Sequence, residues 1–467
     1  MKSLLALPLV VVGSVVLTGC FDDDDDPLKS NVRVIHASSD APAVNVNFNG
    51  STVVSGADYK QAAVLTPNAG RPSLSIDGIL PGGDTVTVIE EDVPLLFNTK
   101  YDVIAVGKVG DQTIEPLILT DDGERESSDS VRLRVAHLSP DAEEAAGGPV
   151  DVYVTAAGAE LPAEATFSFS FKESVGPLEV PAGEYQVRVT PAGADTVVYD
   201  SGALPLPPGA DLLVAAVDNT VFGESPISLL AINGGDVSEI VDASAGAGIR
   251  AVHNSAVAGP VDLYVNATPG SDAATVEDIA YTDTVPGVAS TGAYVALEAG
   301  ENQVAVTGAD GTVAVIDATL ELAAGSGTTV VAAGQTEVQA LVFEDDNRSV
   351  ATAAKLRVIH GAEEAGTVDV YLLPTAEGGA EATEINNAEP ALDDFAYGTS
   401  SGYVEVPEGD YVVFITSTDG SEFLKTGSIS LSAGGVYTAI ARLADAGAGE
   451  TSVAGLTLLD DFVAAPQ

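Results

Sequence analysis

Apolar and polar residues alternate one by one in a set of short segments that recur along the chain. In Val44-Asn-Val46-Asn-Phe48 the apolar side chains share one face and three asparagines, Asn45, Asn47 and Asn49, the other. Period-two alternation predicts a strand with one buried face. The pattern returns as Val150-Asp-Val152-Tyr-Val154, Val261-Asp-Leu263-Tyr-Val265 and Val368-Asp-Val370-Tyr-Leu372. A second set starts at a glycine turn: Gly183-Glu-Tyr185-Gln-Val187-Arg-Val189, Gly300-Glu-Asn302-Gln-Val304-Ala-Val306 and Gly409-Asp-Tyr411, with a weaker Gly70-Arg-Pro-Ser-Leu74-Ser-Ile76. A third set is apolar almost throughout: Tyr101 to Val106, Leu212 to Val217, Thr329 to Ala333 and Tyr437 to Ala441. A fourth closes each unit, as in Pro116 to Leu119. Strands about every ten residues, separated by Gly/Pro turns and without a sustained helical period, predict an all-β chain of sandwiches with about seven strands each. Any helical segment is expected to be short, with Glu381–Asn386 as one candidate.

The unit is counted by its histidines. The chain has four, His36, His137, His253 and His360, and each ends the same phrase: Arg33-Val-Ile-His36, Arg134-Val-Ala-His137, Arg250-Ala-Val-His253 and Arg357-Val-Ile-His360. A spacing near one hundred residues suits a small domain rather than a solenoid turn. Four β-sandwich repeats are expected, at 31–122, 131–235, 249–346 and 355–462. Their junctions, such as Asp121 to Asp129 and Glu344 to Ser349, are short and acidic. A row of beads in near contact is the expected arrangement.

Residues 1–19 look like a secretory leader: a basic start at Lys2, then an apolar stretch from Leu4 to Leu17 too short to span a bilayer. It ends in Leu17-Thr18-Gly19-Cys20, which resembles the bacterial lipobox, so Cys20 is expected to be cleaved free and acylated with palmitate-type chains. Phe21 rather than Asp follows the cysteine, which favours the outer membrane over the inner. Residues 20–30, with Asp22 to Asp26, read as a solvated acidic tether. Cys20 is the single cysteine, so no disulfide forms within the chain. The chain carries 69 acidic and 18 basic residues, a formal net charge of −51. That balance excludes nucleic acid as a partner.

The phrase Arg-Val-x-His, a turn, Val-Asp-Val-Tyr, then Pro-x-Gly-x-Tyr-x-Val resembles the bacterial family called domain of unknown function 4397. The resemblance covers nearly all of the chain beyond the leader. It implies tandem immunoglobulin-like or transthyretin-like sandwiches on a secreted or surface protein, and no established activity. Repeat one departs from it at Asn45, where the others have Asp151, Asp262 and Asp369; repeat three departs at Asn302, where tyrosine is usual.

Candidate chemistry is sparse. His253 with Asp262, and His360 with Asp369, could form a base held by a carboxylate. The competing reading is a histidine satisfied by a turn that ties the first two strands together, and recurrence in every copy favours it. The chain shows no Gly-x-Ser-x-Gly elbow, no His-Glu-x-x-His zinc pattern and no phosphate-cradling loop. No enzyme activity and no cofactor are expected. Acidic pairs near the repeat ends, Asp121-Asp122, Asp345-Asp346 and Asp460-Asp461, are candidate calcium ligands, set against plain solvated charge. The expected role is a lipid-anchored spacer or interaction and adhesion module of the cell envelope. The alternative is a binding protein for an envelope ligand, polysaccharide or calcium.

Overall fold

A computed structural model describes residues 28–286, 294–335, 337–375, 384–385, 388–443 and 454–462. The leader, Cys20 and most of the Glu381–Asn386 segment lie outside the described residues. Repeat one shows the plan. Its strands are β1 (Asn31–His36), β2 (Val44–Phe48), β3 (Ser51–Ala57), β4 (Ala62–Leu65), β5 (Ser73–Ile79), β6 (Thr85–Asp92), β7 (Lys100–Val106) and β8 (Glu115–Asp121). They form two four-stranded sheets, ordered β4-β1-β7-β8 and β3-β2-β5-β6. β1 runs parallel to β7, with Val32 beside Tyr101 and Val34 beside Val103; the remaining pairings are antiparallel.

The plan recurs. The strand bearing each later Arg-x-x-His phrase lies parallel to the late strand of its own repeat, with Val135 beside Val214, Val252 beside Val331 and Ile359 beside Ile440. Repeat two adds Asp236–Ile240 to the edge of this sheet, which carries it past the expected limit at 235. Repeat one has eight strands rather than seven. One unpredicted strand, Ser51–Ala57, is mostly exposed and does not alternate. Two short helical turns, Pro140–Ala146 and Glu363–Ala365, follow the histidines of repeats two and four.

Each sandwich has a core between its sheets, as with Val32, Val34, Val46, Phe48, Leu74 and Val103 in repeat one. A second kind of core lies between repeats. Ile35, Ile104 and Val106 of repeat one pack with Leu138, Leu213, Val217 and Leu230 of repeat two. Val252 and Val331 of repeat three likewise pack with Ile359, Ile440 and Leu459 of repeat four. The β4-β1-β7-β8 sheet and its counterparts are therefore covered on both faces. This explains why the late strands read as continuous apolar runs instead of alternating ones.

Neighbouring repeats, expected as beads in near contact, share these buried seams. Contacts extend further: Phe222 N–H donates to the Gly325 carbonyl at 2.8 Å, between repeats two and three. The linker before repeat four docks back on repeat one, where Arg348 donates to the Ala41 carbonyl at 2.9 Å and pairs with Asp58 at 2.6 Å. No helix among the described residues is long and apolar enough to cross a membrane.

Candidate functional site

The Arg-x-x-His phrase sits on a strand whose two faces meet different neighbours. In β1, Val32 and Val34 point into the core of repeat one, whereas Ile35 points into the seam. Period two therefore sends the histidine, two residues after Val34, to the inner face and Arg33 to the seam.

The histidines form turn ties. Nε2 of His36, His253 and His360 lies 3.1, 2.7 and 2.7 Å from the carbonyls of Pro42, Gly259 and Gly366, each six residues on. Nδ1 of the same rings accepts the N–H of Ser38, Ser255 and Ala362 at 3.4, 3.4 and 3.3 Å. A ring that donates at Nε2 and accepts at Nδ1 is neutral. Burial lowers the pKa of all four histidines below the ordinary 6.5.

His137 departs from this scheme. Its loop to the next strand is longer and folds into the helix Pro140–Ala146, capped by Ser139, whose hydroxyl accepts the Ala142 N–H at 3.0 Å. Neither ring nitrogen has a hydrogen-bond partner among the described residues. The ring borders a cavity of about 30 Å³ in the core of repeat two, lined by Val135, Val150, Phe169 and Leu229 among others. That volume admits about one or two waters.

Asp262 and Asp369, weighed as histidine partners, bond elsewhere, as does Asp151 of repeat two. Asp262 accepts the N–H groups of Asp278 and Asp310 at 2.9 and 3.1 Å, Asp369 that of Asp394 at 3.0 Å, and Asp151 that of Gly193 at 2.8 Å. Asn45 accepts the Gly56 N–H at 3.0 Å, a comparable service with an amide oxygen. Asn302 likewise stands in for tyrosine. The hydroxyls of Tyr185 and Tyr411 donate to the carbonyls of Pro181 and Pro407, four residues back, and Asn302 Nδ2 donates to Glu298, also four back, at 2.9 Å.

The arginines are the residues whose role the strand pattern did not disclose. Arg33 pairs with Asp102 at 2.8 Å in its own repeat and donates to the Ile232 carbonyl of repeat two at 3.2 Å. Arg134 reaches the opposite way, to the Thr120 carbonyl of repeat one at 2.7 Å. Arg357 donates to the Glu344 carbonyl of repeat three at 3.0 Å and pairs with Asp345 at 2.6 Å, with side-chain exposures of 1% and 0%. Arg250 bonds Thr329 at 2.8 Å and lies 3.7 Å from the same Asp345. The available signal was an arginine inside an apolar strand in every copy, since a buried charge requires a fixed partner.

These pairings also locate the calcium candidates. Asp121 is held by Arg132 at 2.5 Å, Asp345 by Arg357, and Asp346 by Lys355 at 2.7 Å. Asp122 accepts the Glu124 N–H at 2.9 Å. Charges neutralised by basic side chains serve the seams and offer a cation little. The side chains of Asp460 and Asp461 lie outside the described residues. Three other carboxylates, Asp369, Asp393 and Asp394, come within 4.8 Å of one another. At the seam of repeats one and two, Asp218 accepts the hydroxyls of Ser39 and Ser139 at 2.6 and 2.5 Å. Burial and nearby Asp141 push its pKa up.

Three stretches of the chain, 30–153, 144–264 and 247–371, match the family described as domain of unknown function, DUF4397. The chain belongs to the DUF4397 family. Each matched stretch ends on a Val-Asp-Val-Tyr-type strand, at Tyr153, Tyr264 and Tyr371, so the family pattern runs across the boundaries between the repeats described above. No curated protein matches this DUF4397 chain. Among solved structures, one similar chain is the product complex of a multi-modular glycogen-degrading pneumococcal virulence factor, SpuA, at 11% identity and a TM-score of 0.14. The match covers 62% of this chain and 38% of that one. At that score it bears on neither fold nor activity.

The contrast between His137 and the other DUF4397 histidines gives a direct test. His360→Ala should cost about 1–3 kcal/mol, because it leaves the Gly366 carbonyl and the Ala362 N–H unpaired. His137→Leu should cost nothing or stabilise, since it removes two unpartnered nitrogens beside an apolar cavity. The histidines are neutral in both states above pH 6.5. Below it the unfolded chain takes up protons that the folded rings resist, so stability falls as pH drops from 6.5 toward the lowered folded values. Denaturant melts at pH 7.5 and 5.5 check both points; equal losses for the two variants would count against the turn-tie role.

Proposed function

We propose that this DUF4397 chain is a lipid-anchored protein of the cell envelope, acting as a non-enzymatic spacer or interaction module and held through Cys20 in the outer membrane. The observation that carries the reading is the use made of the recurring polar signature. Three of its four histidines tie turns, Arg33, Arg134 and Arg357 tie neighbouring repeats, and its aspartates cap loop amides. Residues engaged this way maintain a rigid body rather than turn over a substrate. The leader ending in Leu17-Thr18-Gly19-Cys20 supports delivery and acylation, and multiple acyl chains hold a protein at a bilayer at about 0.8 kcal/mol per buried methylene. The high negative charge keeps such a body soluble and repels anionic partners.

Cys20→Ser should release the protein from the membrane fraction of the producing cell into the soluble fraction. Intact mass of the wild-type chain should show acyl chains on Cys20. Retention of the variant in membranes after a high-salt wash, or a wild-type chain without acyl mass, contradicts the anchor. Protease shaving of intact cells then determines which side of the outer membrane the repeats face.

A further inference from the structure

One end of repeat one differs from the matching end of the other three. Leu28 and Lys29 lead into β1, Gly70 and Arg71 lead into β5, and Leu96-Phe97-Asn98-Thr99 leads into β7. These stretches are bonded together. Gly70 and Leu95 exchange backbone hydrogen bonds of 2.8 Å in both directions, and the Asn98 N–H donates to the Lys29 carbonyl at 3.0 Å. The Tyr101 hydroxyl accepts the Leu96 N–H at 2.9 Å, and the Ser30 hydroxyl donates to the Leu96 carbonyl. The tip is thus fixed in place, yet it leaves Leu28, Leu96 and Phe97 58%, 64% and 58% exposed. Lys29 and Arg71 are exposed as well.

The fold does not require these side chains. The same turn reads Pro207-Pro-Gly-Ala210, Ala323-Ala-Gly-Ser326 and Ser432-Ala-Gly-Gly435 in the other repeats. Its left-handed residue is Asn98 in repeat one and Gly209, Gly325 or Gly434 elsewhere, at φ of 57°, 78°, 79° and 77°. Tyr437 accepts the Ser432 N–H at 3.1 Å, as Tyr101 does that of Leu96. The geometry is kept while the chemistry changes. The residue after the turn glycine is Glu184, Glu301 or Asp410 in repeats two to four and Arg71 in repeat one. In a chain with 69 acidic and 18 basic residues, this end alone among the described residues combines two cations with a cluster of exposed large apolar groups. It is also where the chain arrives from Cys20. Eight peptide steps separate Cys20 from Leu28, a reach of at most about 29 Å.

We propose that this tip is a bilayer-docking surface. Leu28, Leu96 and Phe97 enter the interfacial zone of a phospholipid leaflet, and Lys29 and Arg71 meet lipid phosphates. Apolar groups rimmed by long basic side chains match the composition of that zone. The proposal rests on the lipid-anchor reading, which places the tip within tether reach of the membrane. Asp22 to Asp26 oppose close approach to an anionic surface, so apolar insertion carries the docking and it persists in salt.

The test uses the lipidated full chain in phosphatidylethanolamine–phosphatidylglycerol vesicles that contain a lipid with a shallow spin-label quencher. A fluorescent label is placed at Phe97→Cys or at the matching turn of repeat four, Ala433→Cys; acylated Cys20 takes no label. Quenching at 97 and none at 433 is expected, unchanged in high salt. Background signal at both, in protein that floats with the vesicles, overturns the docking surface and leaves the anchor standing. If the chain carries no acyl groups, the anchor reading fails and docking is read on the unanchored chain by flotation. Retention about tenfold above that of Leu96→Ser with Phe97→Ser sustains the proposal, and equal retention overturns it. Both side chains are exposed, so that variant should melt like wild type.

Discussion

Arg357→Ala should be among the most damaging single substitutions in the chain, at about 3–5 kcal/mol. Its guanidinium is buried, pairs with Asp345 at 2.6 Å and donates to the Glu344 carbonyl and the Thr438 hydroxyl. Removing it leaves a fully shielded carboxylate without its nearest counter-charge. Arg250, 3.7 Å from the same carboxylate, holds the loss toward the lower end of that range. The cost belongs to the uncompensated charge rather than to the pair. Arg357→Met combined with Asp345→Leu should therefore recover most of it. Denaturant melts of the three variants check this, and a double variant no better than Arg357→Ala would contradict the charge argument.

Leu213→Ala should cost about 2–5 kcal/mol, the usual range for a leucine truncated in a packed core. Leu213 belongs to the late strand of repeat two, but its side chain is buried in the seam with Ile35, Ile104 and Val106 of repeat one. The loss should appear in the melting of both repeats. A loss of the same size confined to repeat two would show that the seam contributes no coupling.

Much of the single repeat could be read from the sequence. The alternation in Val44 to Phe48 and its three later copies gave strands with the expected inner faces, and the glycine turns marked the starts of the Gly183 and Gly409 strands. Edge strands such as Ser51–Ala57 escaped notice because an exposed edge has no buried face to imprint a period. The seams were missed for a different reason. Continuous apolar runs such as Val103 to Val106 were read as buried, but alternation alone does not say whether the second face meets a helix, another sheet or a neighbouring repeat. The arginines held that information. They share one phrase with the histidines, although period two puts Arg33 and His36 on opposite faces. The junction carboxylates left chelation open beside plain solvated charge, and Arg132, Arg357 and Lys355 stand beside them in the fold. Those partners are close in sequence to the acidic pairs, but their strands had to be packed before the contact could be recognised.

Arg33, Arg134 and Arg357 join the repeats into coupled pairs. Hydrogen exchange on the full chain with Arg357→Ala measures this most directly. The substitution lies in repeat four, so independent beads would lose protection only there, in 354–443. Coupled repeats should also lose protection in Gly327–Ala333 and Gln339–Asp345 of repeat three, while repeat one keeps its protection in Lys100–Val106. Loss confined to repeat four would contradict the account.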